Sequence, residues 1–227
     1  MGLKNEGIIE LEVCIGGQDL LSPSIAFAHA RMAARRAIAC LPLSSAGRRG
    51  QVDVEVNGRV LPIHFVTDEG EHRNFFRDVI EIEEADEDSF SRLAPSAFPD
   101  LAWADTIWGG LSQFSMPFRD LRNAVTLHLA VLDDHGAALF RDLQRTRPQE
   151  ISPRLGSHGA PATDENGRTK ANSRARRERT CLYDGHERTF WWHTKLQPDV
   201  NRIHFLFDSN AERIVVGIFA RHCYVPD

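Results

Sequence analysis

Ile9, Leu11, Val13 and Ile15 alternate with Glu10, Glu12 and Cys14. This period of two predicts a half-buried strand over 7–15. Ser22-Pro23 supplies a helix N-cap followed by a proline at the first helical position. The helix is expected to run to about Cys40 and stop before Pro42, with Arg31, Arg35 and Arg36 outside. Val52, Val54 and Val56 then alternate with Asp53 and Glu55, Asn57-Gly58 follows, and a second apolar run covers 60–66. Asn-Gly between two such runs predicts a type I′ hairpin, because both central residues must take positive φ. The first third therefore reads β-α-β-β.

The pattern then changes period. An acidic run over 78–88 holds Asp78, Glu81, Glu83, Glu84, Asp86, Glu87 and Asp88 with no basic residue. It reads as a solvated strand edge or loop. Glu81 and Glu83 lack a His or Asp partner that would complete a carboxylate metal site. Pro95 and Pro99 are expected to break the chain, and Leu101, Ala104, Trp108 and Leu111 have helical spacing. Phe118, Leu121, Val125, His128, Leu129 and Leu132 recur at the helical period from Pro117, with Gly136 as the stop. His128 on this apolar stripe reads as a core histidine. A further short helix is expected over 137–144. From 147 to 179 the chain is rich in Pro, Gly, Ser, Asn and Arg, and reads as a linker or mobile loop. Within it Arg168, Lys170, Arg174, Arg176, Arg177 and Arg179 lie within twelve positions, opposed there only by Glu178. Such a run either solvates a loop or screens RNA phosphates.

Three strand signals close the chain, over 189–196, 201–207 and 213–223, joined by 197–199 and 208–210 as hairpin connections. They predict an antiparallel meander. Ile214-Val-Val-Gly-Ile-Phe219 is apolar on both faces and is expected to be the central or most buried strand. The fold class is thus α+β: an N-terminal β-α-β-β unit, central helices and a C-terminal three-stranded antiparallel sheet. By region, 1–90 is the β-α-β-β part, 91–146 helical, 147–180 a flexible basic loop or linker, and 181–227 the sheet. The last either stands alone or shares one domain with 91–146.

Length and composition narrow the class. A chain of 227 residues, 42% hydrophobic and 26% charged, is ordinary for globular proteins. No stretch approaches the roughly 20 apolar residues of a membrane helix, and the segment 1–10 lacks a signal-peptide apolar core. A cytoplasmic protein that meets no membrane is expected. Cys14, Cys40, Cys181 and Cys223 form no Cys-x-x-Cys pair and read as buried or free thiols. The net charge of −5 argues against a protein that coats nucleic acid along its whole surface, but leaves room for a local basic site. Neither nucleotide-binding glycine pattern, Gly-x-x-x-x-Gly-Lys or Gly-x-Gly-x-x-Gly, is present.

The candidate chemistry lies in the last strands. Alternation places Trp191, His193 and Lys195 on one face of the first, and Arg202 and His204 opposite the apolar Ile203, Phe205 and Phe207 in the second. Arg221, His222 and Tyr224 follow at the end of the third, at a margin that register decides. Arginine and lysine hold phosphate, and a near-neutral histidine moves a proton between a 2′-hydroxyl and a leaving oxygen. Trp191 or Tyr224 could stack on a base. His193 and His204 are therefore the catalytic candidates for metal-free RNA cleavage. Lys195, Arg202, Arg221, His222, Trp191 and Tyr224 are the substrate-binding candidates. The competing reading is the ordinary polar face of an antiparallel sheet. A zinc site from His186, His193, His204, His222, Cys181 and Cys223 fits no standard spacing.

The segments His193-Thr-Lys-Leu196, Asn201-Arg-Ile-His-Phe-Leu-Phe207 and Arg213-Ile-Val-Val-Gly-Ile-Phe-Ala-Arg-His222 resemble the C-terminal sheet of RelE/ParE/HigB-type toxins. Arg202 matches the family's strand arginine, Arg221 and His222 its terminal basic pair, and His193 and Lys195 match more loosely. The N-terminal β-α-β-β part has no counterpart there. The resemblance implies helices packed on a small antiparallel sheet. It implies an RNA-directed toxin or phage-defence protein, an endoribonuclease acting without cofactor, with RNA or the ribosome as target and an antitoxin as partner. The alternative is a non-enzymatic protein-interaction subunit of a bacterial defence or toxin–antitoxin complex, with Trp103, Trp108 or Trp191 as anchors.

Overall fold

The computed structural model describes residues 12–41, 48–144, 147–196, 200–221 and 223–224. The chain divides into two units, 1–85 and 86–227. Together they make an α+β protein with mixed sheets and helices.

The first unit contains β1 (Glu12–Ile15), β2 (Gln18–Leu21), α1 (Pro23–Ala33), β3 (Ala39–Cys40), β4 (Gly50–Val56), β5 (Arg59–Phe65) and α2 (Glu69–Ile82). Its sheet runs β2-β1-β4-β5-β3. Asn57 (φ 52°) and Gly58 (φ 75°) both take left-handed backbone and close β4 onto β5 with Val56 opposite Arg59, the hairpin its sequence predicts. The alternating valines point inward: Val13, Ile15, Val54, Val56, Ile63 and Phe65 join Ile25, Ala26 and Ala28 of α1 in one core. The expected strand over 7–15 is described only from Glu12, and β2 folds back on it. The first helix ends seven residues before Cys40. Arg35 takes φ 56°, and the Arg36 N–H reaches back to the Arg31 carbonyl, so the turn closes without a glycine.

The acidic run is neither strand nor loop. It is the end of α2, a turn, and the start of α3 (Glu87–Ala97). Its charges have local uses. Glu84 and Glu83 pair with Arg35 and Arg36 at 2.6 and 3.0 Å, Asp86 caps α3 by accepting from Ser89 N, and Glu87 and Asp88 occupy the first turn. α3 carries Pro95 in its last turn and runs on to Ala97, so the chain breaks at Pro99 alone.

The second unit continues with β6 (Ala102–Trp103) and a 3-10 helix (Ile107–Gln113), where helical spacing predicts a longer helix. α4 (Phe118–Val131) passes through a π-helical turn (Leu132–Gly136) into α5 (Ala137–Leu143). Gly136 is therefore not a stop. An added Cβ there would lie 2.8 Å from Ile214 Cγ1, so the glycine permits close packing inside a continuing helix. The region expected to be a flexible linker is folded instead. It holds a 3-10 turn (Pro148–Glu150), α6 (Ile151–Ser157), β7 (Ala162–Asp164), α7 (Gly167–Ala171) and α8 (Ser173–Glu178). Asn166 and Asn172 cap the last two, accepting from Thr169 N and from Arg174 N and Ala175 N.

The hairpin β8 (Thr180–Tyr183) and β9 (His186–Thr189) turns at Asp184-Gly185, and then come β10 (Trp192–Leu196), β11 (Asn201–Asp208) and β12 (Arg213–Arg221). The predicted first strand is split, because the chain leaves β9 at Thr189 and re-enters a different sheet at Trp192. The antiparallel meander β10-β11-β12 forms as predicted, extended by β7 beside β10 and a short parallel β6 beside β12. The central strand is β11 rather than β12, although Ile214, Val215, Val216 and Phe219 are all buried.

Candidate functional site: a buried polar network and a basic helix pair

Strand register sorts the candidate residues. His193 lies opposite His204, and Lys195 opposite Arg202, so these four share one face of the sheet as alternation predicts. Arg221 pairs with Asn201, whose side-chain oxygen accepts from Ser115 N at 2.9 Å. Arg221 is thereby placed on the opposite face, away from the other cations. His222 lies outside the described residues. Trp191 precedes β10, and Tyr224 follows β12.

The shared face is covered. His193, Arg202 and His204 retain 8%, 6% and 1% exposure. Glu165, Arg179, the Phe190 carbonyl and Cys223 lie against its histidines, and on α7 and α8 Thr169 and Ala175 are fully buried. Beside them sits Arg179, a fully buried arginine that the sequence places in a solvent-facing basic run. Its guanidinium pairs with Glu165 Oε1 at 2.7 Å and donates to the carbonyls of Ala175 and Tyr224 at 3.1 and 3.0 Å. A buried arginine is tolerated only when paired and hydrogen-bonded in this way. Glu165 also approaches His193 Nδ1 at 3.6 Å, while His193 Nε2 meets Thr163 Oγ1 at 3.1 Å. The His193 and His204 rings stand 5.2 Å apart.

His204 is held neutral. Burial pushes its pKa well below the usual imidazole range, and the nearby His193 and Arg179 push the same way. Its Nδ1–H donates to the Phe190 carbonyl at 3.2 Å, which leaves Nε2 as the acceptor for the Cys223 thiol at 3.5 Å. Burial raises the Cys223 thiol, so the thiol and imidazole meet as neutral partners. This pair is neither an activated nucleophile nor an exposed acid–base couple. Sequence reasoning missed Glu165, Arg179, Thr163 and Cys223, the residues that complete the network. Glu165 and Arg179 lie 14 positions apart, and nothing local marks them as partners.

The exposed surface of α7 and α8 differs in character. On α8 Ala175 points inward, so the helical period of about 100° per residue puts Arg177 at the crest and Arg174 and Arg176 on the flanks. The Arg176 guanidinium lies over the Trp191 ring at 5.4 Å, and that of Arg174 over Tyr224 at 4.2 Å. Lys170 pairs with Asp164 at 2.6 Å. Arg168 and Arg177 are exposed, Lys195 is half-buried, and among the described residues their side chains make no ion pair.

Trp103 and Trp108 are not exposed anchors. They pack on each other at 4.8 Å, with Phe98 beside Trp103 and with Phe90 and Phe219 beside Trp108. All four cysteines are free. Among the described residues, no group of three or more His, Cys, Asp or Glu side chains is arranged to hold a metal ion, and no helix is long and apolar enough to cross a membrane. In comparisons with protein families, curated proteins and solved structures, no match to this chain is found.

Proposed function

We propose that this chain is an RNA-directed protein that binds its target and does not cut it. The observation that carries this reading is the position of α7 and α8. They carry the exposed Arg168 and Arg177 and the arginines that cap two aromatic rings, while His193, Arg202 and His204 are buried. Cations on a surface release counterions from a phosphate backbone, whereas a buried neutral histidine such as His204 has no access to a 2′-hydroxyl. Membership of a bacterial toxin or defence system, a cytoplasmic setting and a ribosomal or antitoxin partner rest on the sequence resemblance alone.

Fluorescence anisotropy with a labelled RNA, read beside a denaturing gel of the same RNA, tests this. The expected result is saturable binding, weakened by Arg168→Glu/Arg177→Glu, with the RNA intact throughout. Cleavage that disappears in His193→Ala or His204→Ala would return the endoribonuclease reading. A folded chain that binds no RNA would favour the protein-interaction subunit.

A further inference from the structure

Resting on the RNA-directed reading, we infer that Trp191 and Tyr224 are two base-stacking platforms that make this face selective for single-stranded RNA. Each ring is half-buried and has its backbone fixed from below. The Trp191 carbonyl accepts from Glu165 N at 3.2 Å. The Tyr224 carbonyl accepts from Arg179 Nη1 at 3.0 Å, and its N–H donates to Glu178 Oε2 at 2.6 Å. Glu165 and Arg179 are themselves joined at 2.7 Å. The two residues of this ion pair thus hold both aromatic residues, Glu165 through its backbone N–H and Arg179 through its guanidinium. This gives the buried network a positioning role in place of a catalytic one.

The two platforms flank α8, because Arg176 and Arg174 leave opposite sides of that helix to reach them. A strand crossing α8 would meet an aromatic ring, the Arg177 crest, then a second ring. Base–aromatic stacking exceeds an exposed cation–π contact, so a base displaces the arginine from the ring. The freed guanidinium then stacks on the base or turns to the adjacent phosphate. Bases inside a duplex are already stacked and do not reach such rings, which confines this contact to single strands.

The test compares a labelled single-stranded RNA, its duplex with the complement, and the single-stranded DNA of the same sequence, on wild type, Trp191→Ala, Trp191→Phe and Tyr224→Ala. Each alanine variant is expected to weaken single-strand binding about tenfold and leave the duplex unchanged, and Trp191→Phe to restore most of the loss. In the wild type, a single strand carrying 4-thiouridine is expected to crosslink to Trp191 or Tyr224, a readout independent of variant folding. Equal binding of strand and duplex, with crosslinks elsewhere, overturns the platforms while the RNA-directed reading stands. Preference for the DNA strand keeps the platforms and overturns the choice of RNA. No binding of any probe by the folded wild type sinks the underlying reading and the platforms with it.

Discussion

At the scale of single residues, the histidines mark where two readings diverge. If His204 were a general base, its removal would end activity and leave folding intact. Placed as it is, His204→Ala would strand the Cys223 thiol and the Phe190 carbonyl and open a void. The expected cost is about 2–4 kcal/mol of stability, read as a lower urea midpoint, with RNA affinity of the folded fraction unchanged. Breaking the Glu165–Arg179 pair from one side is expected to cost about 3–5 kcal/mol, since the remaining charge stays buried. The same burial fixes a pH dependence. His128 sits in the α4 core, and desolvation lowers its pKa to about 4. The unfolded chain takes up that proton below about 6.5, while the folded chain does not until near 4. Its contribution is therefore complete above pH 6.5 and lost as pH falls through the window. His128→Leu is expected to recover up to about 3 kcal/mol at pH 4, relative to its effect at pH 7.5. Equal effects at both pH values in parallel urea titrations would show that His128 is protonated in the fold.

At the scale of elements, close approach decides what composition does not. Gly217 lies at the irregularity where β11 and β12 shift register, and an added Cβ would meet the Phe190 ring at 2.4 Å. Gly217→Ala is expected to cost about 2 kcal/mol or more, seen as a clear drop in thermal midpoint. Gly136→Ala should cost less, because the methylenes of Ile214 can give way. The same contrast explains what the sequence made legible. The β4–β5 hairpin and the β10-β11-β12 meander were readable because alternation and Asn-Gly chemistry are local. So was the shared face of His193, Lys195, Arg202 and His204, which depends only on the period of two. The burial of that face was not readable, because Glu165 and Arg179, which lie against it, flank 167–178, a stretch whose Gly, Ser, Asn and Arg content looks like a loop. Two signals were there: Asn166 three residues before Thr169, and Asn172 three before Ala175, each an N-cap spacing. The decisive stabilisation, Arg179 turned inward onto Glu165, depends on a partner distant along the chain. Composition alone assigns that arginine to solvent.

At the scale of the whole molecule, a net charge of −5 predicts repulsion of polyanions, while the surface of α7–α8 predicts a local attraction. The two expectations separate in salt. Binding through the net field of the protein would be repulsive and would improve as salt screens it. Binding through Arg168, Arg177 and the arginines freed from Trp191 and Tyr224 releases condensed counterions. The logarithm of the association constant then falls with the logarithm of salt by about 0.7 for each phosphate contacted on a single strand. Four such cations give a slope near −2.8, and Arg168→Ala/Arg177→Ala is expected to shift it by about +1.4. The stacking contribution from the two rings carries no such salt term, so Trp191→Ala is expected to lower affinity at every salt concentration with little change in slope. An anisotropy series across salt, run on these three proteins, assigns the patch from slopes and the platforms from offsets. A flat slope in the wild type would mean that the exposed arginines do not meet phosphate.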